Sequence, residues 1–367
     1  MKIEAVELRV VRLPLVTPFR TSQHSQDERA ALLVCAHTTQ GEGWADCAVD
    51  AGPWYEPEFL SGARAVMAEY LVPMLMAAPD LAAAQVQPVL APVKGHQMAK
   101  AALETAVLDA ELRAKQMSFA QYLGAVRDRV PAGVSVGIPG SLAELIGQVE
   151  GYLEQGYQRV KLKIEPGWDL APVAAVRERF GPDLALQADA NTAYTLASAP
   201  RLRALDEFGL LLLEQPLAAD DLLGHAELAR LLTTPLCLDE SITSPRAAAT
   251  ALRLAACSVI NIKPARVGGY LAARAIHDLC AAHGIPVWCG GMLETGVGRA
   301  ANLALAALQN FTLPGDISAT ARYFTQDITP PFALDDGHIR VPSGPGTGAE
   351  ILRDVLSRLT IHREILR

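Results

Sequence analysis

From Ala132 onward, short apolar runs recur at an even pitch, each followed by a stretch with helical spacing. The runs fall at about 133–138, 158–164, 184–189, 210–214, 236–239, 258–263 and 286–289, with a weaker eighth near 311–315. Between them lie amphipathic segments such as Leu170–Phe180, Ala199–Phe208 and Ala247–Ala255. Short apolar runs bounded by turn residues predict buried strands, and strand–helix alternation predicts parallel strands joined by crossover helices. Seven or eight such units in about 190 residues point to a closed (β/α) barrel rather than an open sheet.

The first third follows another pattern. Ile3–Leu13 alternates loosely, Ala31–Ala36 is an apolar strand, and Gly41-Glu42-Gly43 reads as a turn. Pro18–Arg29 is polar and reads as a long mobile loop, a candidate lid. Residues 56–125 read as helical; Met98–Lys115 has apolar residues at helical spacing with Glu104, Asp109 and Glu111 between them. Near the end, Phe332–Leu334 and His338–Val341 read as two short strands, followed by a Gly/Pro turn over Pro342–Gly348. The predicted division is an α+β capping domain over 1–125, completed by 325–367, and an α/β barrel over 126–324.

A chain of 367 residues with 50% hydrophobic content has room for both units and is not disordered. No apolar run is long enough to span a membrane, and the acidic Met1–Glu7 does not read as a signal peptide. A net charge of −8 without a basic patch argues against nucleic acid. The six cysteines show no metal-like spacing and predict buried thiols in a cytoplasmic protein.

Charges placed within the apolar runs carry the candidate chemistry. Val160-Lys161-Leu162-Lys163-Ile164 alternates with period two, so both lysines share one face of a strand. Asp189 ends Leu184–Ala188, Glu214 ends Leu210–Leu213, Asp239 ends Leu236–Leu238 and Lys263 ends Val259–Ile262. From Lys163 onward these charges are 24–26 residues apart. In a parallel barrel such strand ends converge on one mouth, where barrel enzymes keep their active sites. Three carboxylates buried around one point repel each other and lose hydration; a cation between them answers both. An all-oxygen donor set suits Mg²⁺ or Mn²⁺ rather than zinc and leaves positions for a substrate carboxylate and water. Lys163 and Lys263 flank that point, and Lys161 and a metal both disfavour a second positive charge on Lys163. The reaction implied is removal of a proton α to a carboxylate. A single strand-end acid is ordinarily solvated or paired with a helix terminus, and Asn191 alone reads as an Asx-turn residue. Three acids in register, bracketed by lysines, have no such structural account. Gly296-Val297-Gly298-Arg299 reads as close packing, and His96, His225, His277 and His283 as surface or packing residues.

The order Lys-x-Lys, Asp, Glu, Asp, Lys on successive strands resembles the enolase superfamily. Lys161-Leu162-Lys163 with Lys263 is similar to its muconate lactonizing subgroup. The likeness runs along the chain to the branch of o-succinylbenzoate synthases that also act as N-succinylamino acid (N-acylamino acid) racemases. It is carried by Pro18-Phe19-Arg20-Thr21-Ser22, Lys94-Gly95-His96, Val160–Asp169, Asp189–Thr192, Asn261–Pro264, Arg266–Tyr270 and Cys289–Met292. The resemblance implies a modified (β/α)7β TIM-like barrel with a capping domain built from both termini. It implies Mg²⁺, replaceable by Mn²⁺ or Co²⁺, on Asp189, Glu214 and Asp239, and Lys163 and Lys263 as the acid/base pair. Lys161 would meet the substrate carboxylate, and Asn191 would support the site. The pocket would take Phe19, Arg20, Asp50, Tyr55, Ser135, Gly291, Leu293 and Tyr323, with Arg266 bearing on racemization. A homo-oligomer acting on a small carboxylate, serving menaquinone biosynthesis, is the corresponding expectation. Muconate cycloisomerase and dipeptide epimerase are the neighbouring activities; the Asp-x-Asp of the latter is missing from Gly290–Gly298. A non-catalytic barrel would have lost a ligand or a lysine, and all are present. Two positions depart from the branch: Asp50 stands where an apolar residue is expected, and Tyr323 where Phe is expected. A carboxylate at 50 predicts repulsion of a succinyl group, unless Arg20 pairs with it.

Overall fold

The computed structural model describes residues 1–22 and 25–367. It opens with a long antiparallel pair, β1 (Ile3–Arg20) and β2 (Ser25–Thr38), continued by β3 (Gly41–Cys47). Pro18–Arg29, expected as a loop, is therefore strand on both sides, with Phe19 paired to Gln26 and Arg20 to Ser25; Gln23 and His24 lie outside the described residues. Beyond Leu13 the hairpin leaves the core and the apolar alternation fades; the ladder breaks at a register shift after Pro14 and resumes at Phe19. The turn sits at Thr39–Gln40, and Gly41-Glu42-Gly43 begins β3. Gly43 is needed there: the helix Gln97–Ala114 crosses so closely that a Cβ would lie 2.0 Å from the Ala106 carbonyl oxygen. That helix is buried on nearly all sides, between β3 and the short helix Pro264–Val267. Glu104 and Asp109 are buried with it, each accepting backbone N–H groups, Glu104 from Leu271 and Asp109 from Trp44 and Thr347.

After β4 (Arg129–Pro131) come seven parallel strands in sequential order. They are β5 (Gly133–Val136), β6 (Arg159–Lys163), β7 (Ala185–Asp189), β8 (Leu213–Glu214), β9 (Leu236–Leu238), β10 (Val259–Ile262) and β11 (Val287–Cys289). The expected eighth is not a regular strand. Phe311 bridges to Val287 and Gly315 to Ala132, so the segment stands between β11 and β5 and closes the barrel with isolated bonds. Pro314 lacks an N–H for a continuous ladder. The helix Leu170–Phe180 forms as expected.

The last stretch departs from expectation. Phe332–Leu334 forms no strand, because the Phe332 N–H goes to Thr320 Oγ1 (3.0 Å). β12 (His338–Arg340) pairs with β4, not with the capping sheet. The return to the cap is made by the helix Arg353–Leu359 and β13 (Thr360–Leu366), which lies antiparallel on β1, giving the order β13-β1-β2-β3. All six cysteines are buried and free, and no helix among the described residues is long and apolar enough to cross a membrane.

Candidate active site at the barrel mouth

Strand register brings the charges together. Lys163, Asp189 and Glu214 are aligned partners across β6, β7 and β8, and Asp239 and Lys263 each follow the next two strands by one residue. Two residues earlier on the same faces lies a deeper layer: Lys161 aligned with Gln187, and Asn261 below Lys263. This layer holds Glu214, whose carboxylate accepts from Lys161 Nζ (3.1 Å), Gln187 Nε2 (3.3 Å) and Asn261 Nδ2 (2.8 Å).

In the upper layer each lysine meets its own carboxylate. Lys163 Nζ donates to Asp189 Oδ2 (2.6 Å) and Asn191 Oδ1 (2.8 Å). Lys263 Nζ donates to Asp239 Oδ2 (2.8 Å) and the Tyr55 hydroxyl (2.8 Å). Arg266 binds the other oxygen of Asp239 and reaches Glu56 (2.6 Å) and the Tyr55 hydroxyl (2.9 Å). Lys161 also contacts Asp189 (3.0 Å) and Asp316 (2.5 Å), the latter in turn bound by Arg159 (2.7 Å). Burial opposes a charge on Lys161, but Asp316, Glu214 and Asp189 outweigh it and hold its ammonium well above the usual lysine range. Burial likewise opposes charge on Asp189 and Asp239; Lys163 and Lys161 overcome it at the first, Arg266 and Lys263 at the second, and both lie below the ordinary carboxylate value.

Glu214 behaves differently: burial first, then Asp189, push it up to about 8. The residues fit a hard divalent cation, since every acidic donor in the trio is oxygen. Lysine ammonium groups occupy those acceptors here, and the carboxylate oxygens are not all gathered within 4.8 Å of one another. Among the described residues that closeness is found at Cys35, His37 and Glu42 in the capping sheet, where Arg353 already neutralises Glu42 (2.7 Å).

A cavity of about 740 Å³, mouth included, opens above the lysines. Phe19, Asp50, Tyr55, Ser135, Asn191, Gly291, Leu293 and Tyr323 line it together with Lys161, Lys163 and Lys263. Phe19 stands edge-on to Tyr323 with ring centres 6.1 Å apart, and the buried Ser135 hydroxyl has no partner within the fold. Arg266 sits behind Tyr55 and does not line the cavity. Neither does Arg20, which turns to Glu165 (3.0 Å) from the exposed end of β1. Asp50 is paired with Arg29, a buried residue of β2, so the offsetting cation comes from Arg29 rather than from Arg20. Gln26, Glu294 and Asp316 also line the cavity, and the sequence reading did not single them out; Arg299, read as part of a close-packed stretch, lines it too. Asp316 could have been found by the same rule as the other acids, since it ends the weak eighth run.

Residues 3–124 match the mandelate racemase / muconate lactonizing enzyme N-terminal domain, and residues 144–355 match the enolase C-terminal domain-like family. The chain belongs to the enolase superfamily. It is 62% identical to the N-succinylamino acid racemase of an Amycolatopsis species over 360 residues, 98% of each chain. It is 46% identical to the o-succinylbenzoate synthase of Geobacillus kaustophilus over 362 residues, 98% of this chain and 96% of that one. The crystal structure of an enolase superfamily member from Listeria innocua matches with a TM-score of 0.95 at 39% identity, covering 100% of this chain and 99% of that one. The barrel with its antiparallel sheet is thus the superfamily's architecture, as the strand–helix alternation and the resemblance implied.

Proposed function

We propose that this chain is a divalent-metal enzyme that removes the proton α to a carboxylate, racemizing N-succinylamino acids and other N-acylamino acids and forming o-succinylbenzoate by syn dehydration. The reading rests on Lys163 and Lys263, which stand on opposite sides of a buried carboxylate cluster, each bonded to a different member. Asp189, Glu214 and Asp239 would hold Mg²⁺, with Mn²⁺ or Co²⁺ able to replace it, and the ion supplies positive charge as electrons shift onto the substrate carboxylate. Lys161, kept cationic by Asp316, Glu214 and Asp189, binds that same carboxylate. In racemization a neutral lysine takes the α-proton on one face and the cationic lysine gives one to the other face, so the two exchange charge states at each turnover. In dehydration Lys163 takes the α-proton and returns it to the departing hydroxyl as water, while Lys263 stays cationic across the site. The Ser135 hydroxyl, unpartnered in the fold, remains for the substrate.

The setting proposed with it is a cytoplasmic homo-oligomer, its cap formed by residues 1–125 and 325–367 over a barrel of 126–324. Both reactions, followed as kcat/KM on one preparation, test the reading. Chelation is expected to abolish both, and Mg²⁺, Mn²⁺ or Co²⁺ to restore them. Undiminished turnover in a metal-free sample removes the metal from the reading; a metal-loaded enzyme inert in both reactions removes the proton abstraction itself.

A further inference from the structure

Glu240 follows Asp239 and is buried beside the carboxylate cluster, yet no step described so far uses it. Its Oε1 accepts from Asn191 Nδ2 at 2.9 Å, and its other oxygen has no partner in the fold. Burying a carboxylate for one hydrogen bond is costly, so what that bond fixes matters. Besides the carbonyl that accepts from Ser22 Oγ (3.5 Å), three groups of Asn191 bond within the cluster. Its backbone N–H goes to Asp189 Oδ1 (3.0 Å), its Nδ2 to Glu240, and its Oδ1 accepts from Lys163 Nζ (2.8 Å). The two ends of an amide are nearly alike in shape and opposite in hydrogen-bonding sense, so neighbours decide which end faces which way. An acceptor at Glu240 draws Nδ2 and leaves Oδ1 for the lysine; turned over, the amide would set a donor against a donor at Lys163. Lys263 has no counterpart to this chain, being held by Tyr55 and Asp239.

We infer that Glu240 is a positioning residue for one face of the reaction: through Asn191 it aims the Lys163 amine at the substrate's α-carbon, whereas it makes no hydrogen bond that would orient Lys263. This rests on the two-lysine reading above, and the test separates the two. Exchange of the α-proton with deuterium is measured in the metal-loaded enzyme for each enantiomer of an N-succinylamino acid, with bound metal quantified. Lys163→Ala and Lys263→Ala first assign an enantiomer to each lysine; if neither variant is face-selective, the two-lysine reading fails before Glu240 is considered. Glu240→Met, similar in volume but without an acceptor, is expected to slow exchange of the Lys163 enantiomer about tenfold to a hundredfold more than the other. Glu240→Gln keeps an acceptor and is expected to restore the wild-type ratio between enantiomers. Should Glu240→Met not fold, Glu240→Ala removes the same acceptor and carries the same expectation. Equal slowing of both enantiomers, as loss of metal or general loosening would give, overturns the inference. So does an unchanged ratio in Glu240→Met, or a ratio shifted as far in Glu240→Gln.

Discussion

Arg29 and Asp50 form an ion pair at the edge of the cavity, and the pair alters what a carboxylate at that position means for substrate choice. A lone charge on Asp50 about 5 Å from a succinyl carboxylate, at an effective dielectric of ~20, would cost on the order of 3 kcal/mol, roughly a hundredfold in kcat/KM. With Arg29 bound to it most of that penalty is cancelled, so the carboxylate at 50 is no bar to the N-succinyl substrates proposed above. Arg29→Met uncovers the charge and is expected to lower kcat/KM for N-succinyl relative to N-acetyl substrates about a hundredfold. Asp50→Met is expected to shift the ratio the other way, and to lower the thermal-unfolding midpoint, because Arg29 is buried with its Nε and Nη2 already lacking partners. Equal changes for both substrates would mean that the pair acts by packing alone. The partnership was not legible in the sequence, where the two residues are 21 positions apart and nothing local couples them. The strand-end acids were legible because each interrupts an apolar run. Gln187 and Asn261, uncharged and inside their runs, gave no comparable signal although both hold Glu214.

Among the elements, the helix Gln97–Ala114 shows how a pattern can mislead on burial. Acids spaced between apolar residues do not by themselves announce burial, yet Glu104 is buried against the helix Tyr270–Ala282, whose Leu271 N–H it accepts (3.1 Å), and Asp109 against Trp44 and Thr347. Burial pushes Glu104 up to about 7 from an ordinary 4.5. Between those values the unfolded chain has lost the proton and the folded chain keeps it, so stability falls as pH rises through that window. The loss is on the order of 3 kcal/mol when complete. Glu104→Gln keeps an acceptor for Leu271 and carries no charge. It is expected to raise the thermal-unfolding midpoint at pH 8 and to leave it unchanged at pH 4.5; a gain of equal size at both would rule out ionisation as its cause. Exposed elements were harder to read than buried ones. The outer half of β1–β2 and all of β13 place charged or polar side chains on both faces, so the backbone ladder is present without the alternation that would announce it.

At the scale of the whole molecule, the barrel was legible because each parallel strand is buried on both sides and its helix returns it to the same end, which imposes an even period. The cap has no period: its sheet joins residue 6 to residue 366, a pairing of the two chain ends that no local pattern encodes. That pairing has a consequence for function. β1 runs from the edge covered by β13 to Phe19 in the cavity wall, whereas Lys161, Lys163, Lys263 and the carboxylates all belong to the barrel. Ending the chain after Leu359 removes β13, uncovers the hydrogen-bonding edge of β1, and releases Glu7 from Arg363 (2.7 Å). Few side chains of β13 are buried, so the thermal-unfolding midpoint should fall by only a few degrees, with aggregation that grows with concentration. In the folded fraction, KM should rise as β1 loosens and Phe19 loses its fixed place against Tyr323. By contrast, kcat should stay within about twofold, because the lysines and carboxylates proposed to react keep their register. A fall in kcat at unchanged KM would instead mean that the cap's outer strand acts on the lysines, and the separation of binding wall from reacting centre would have to be given up.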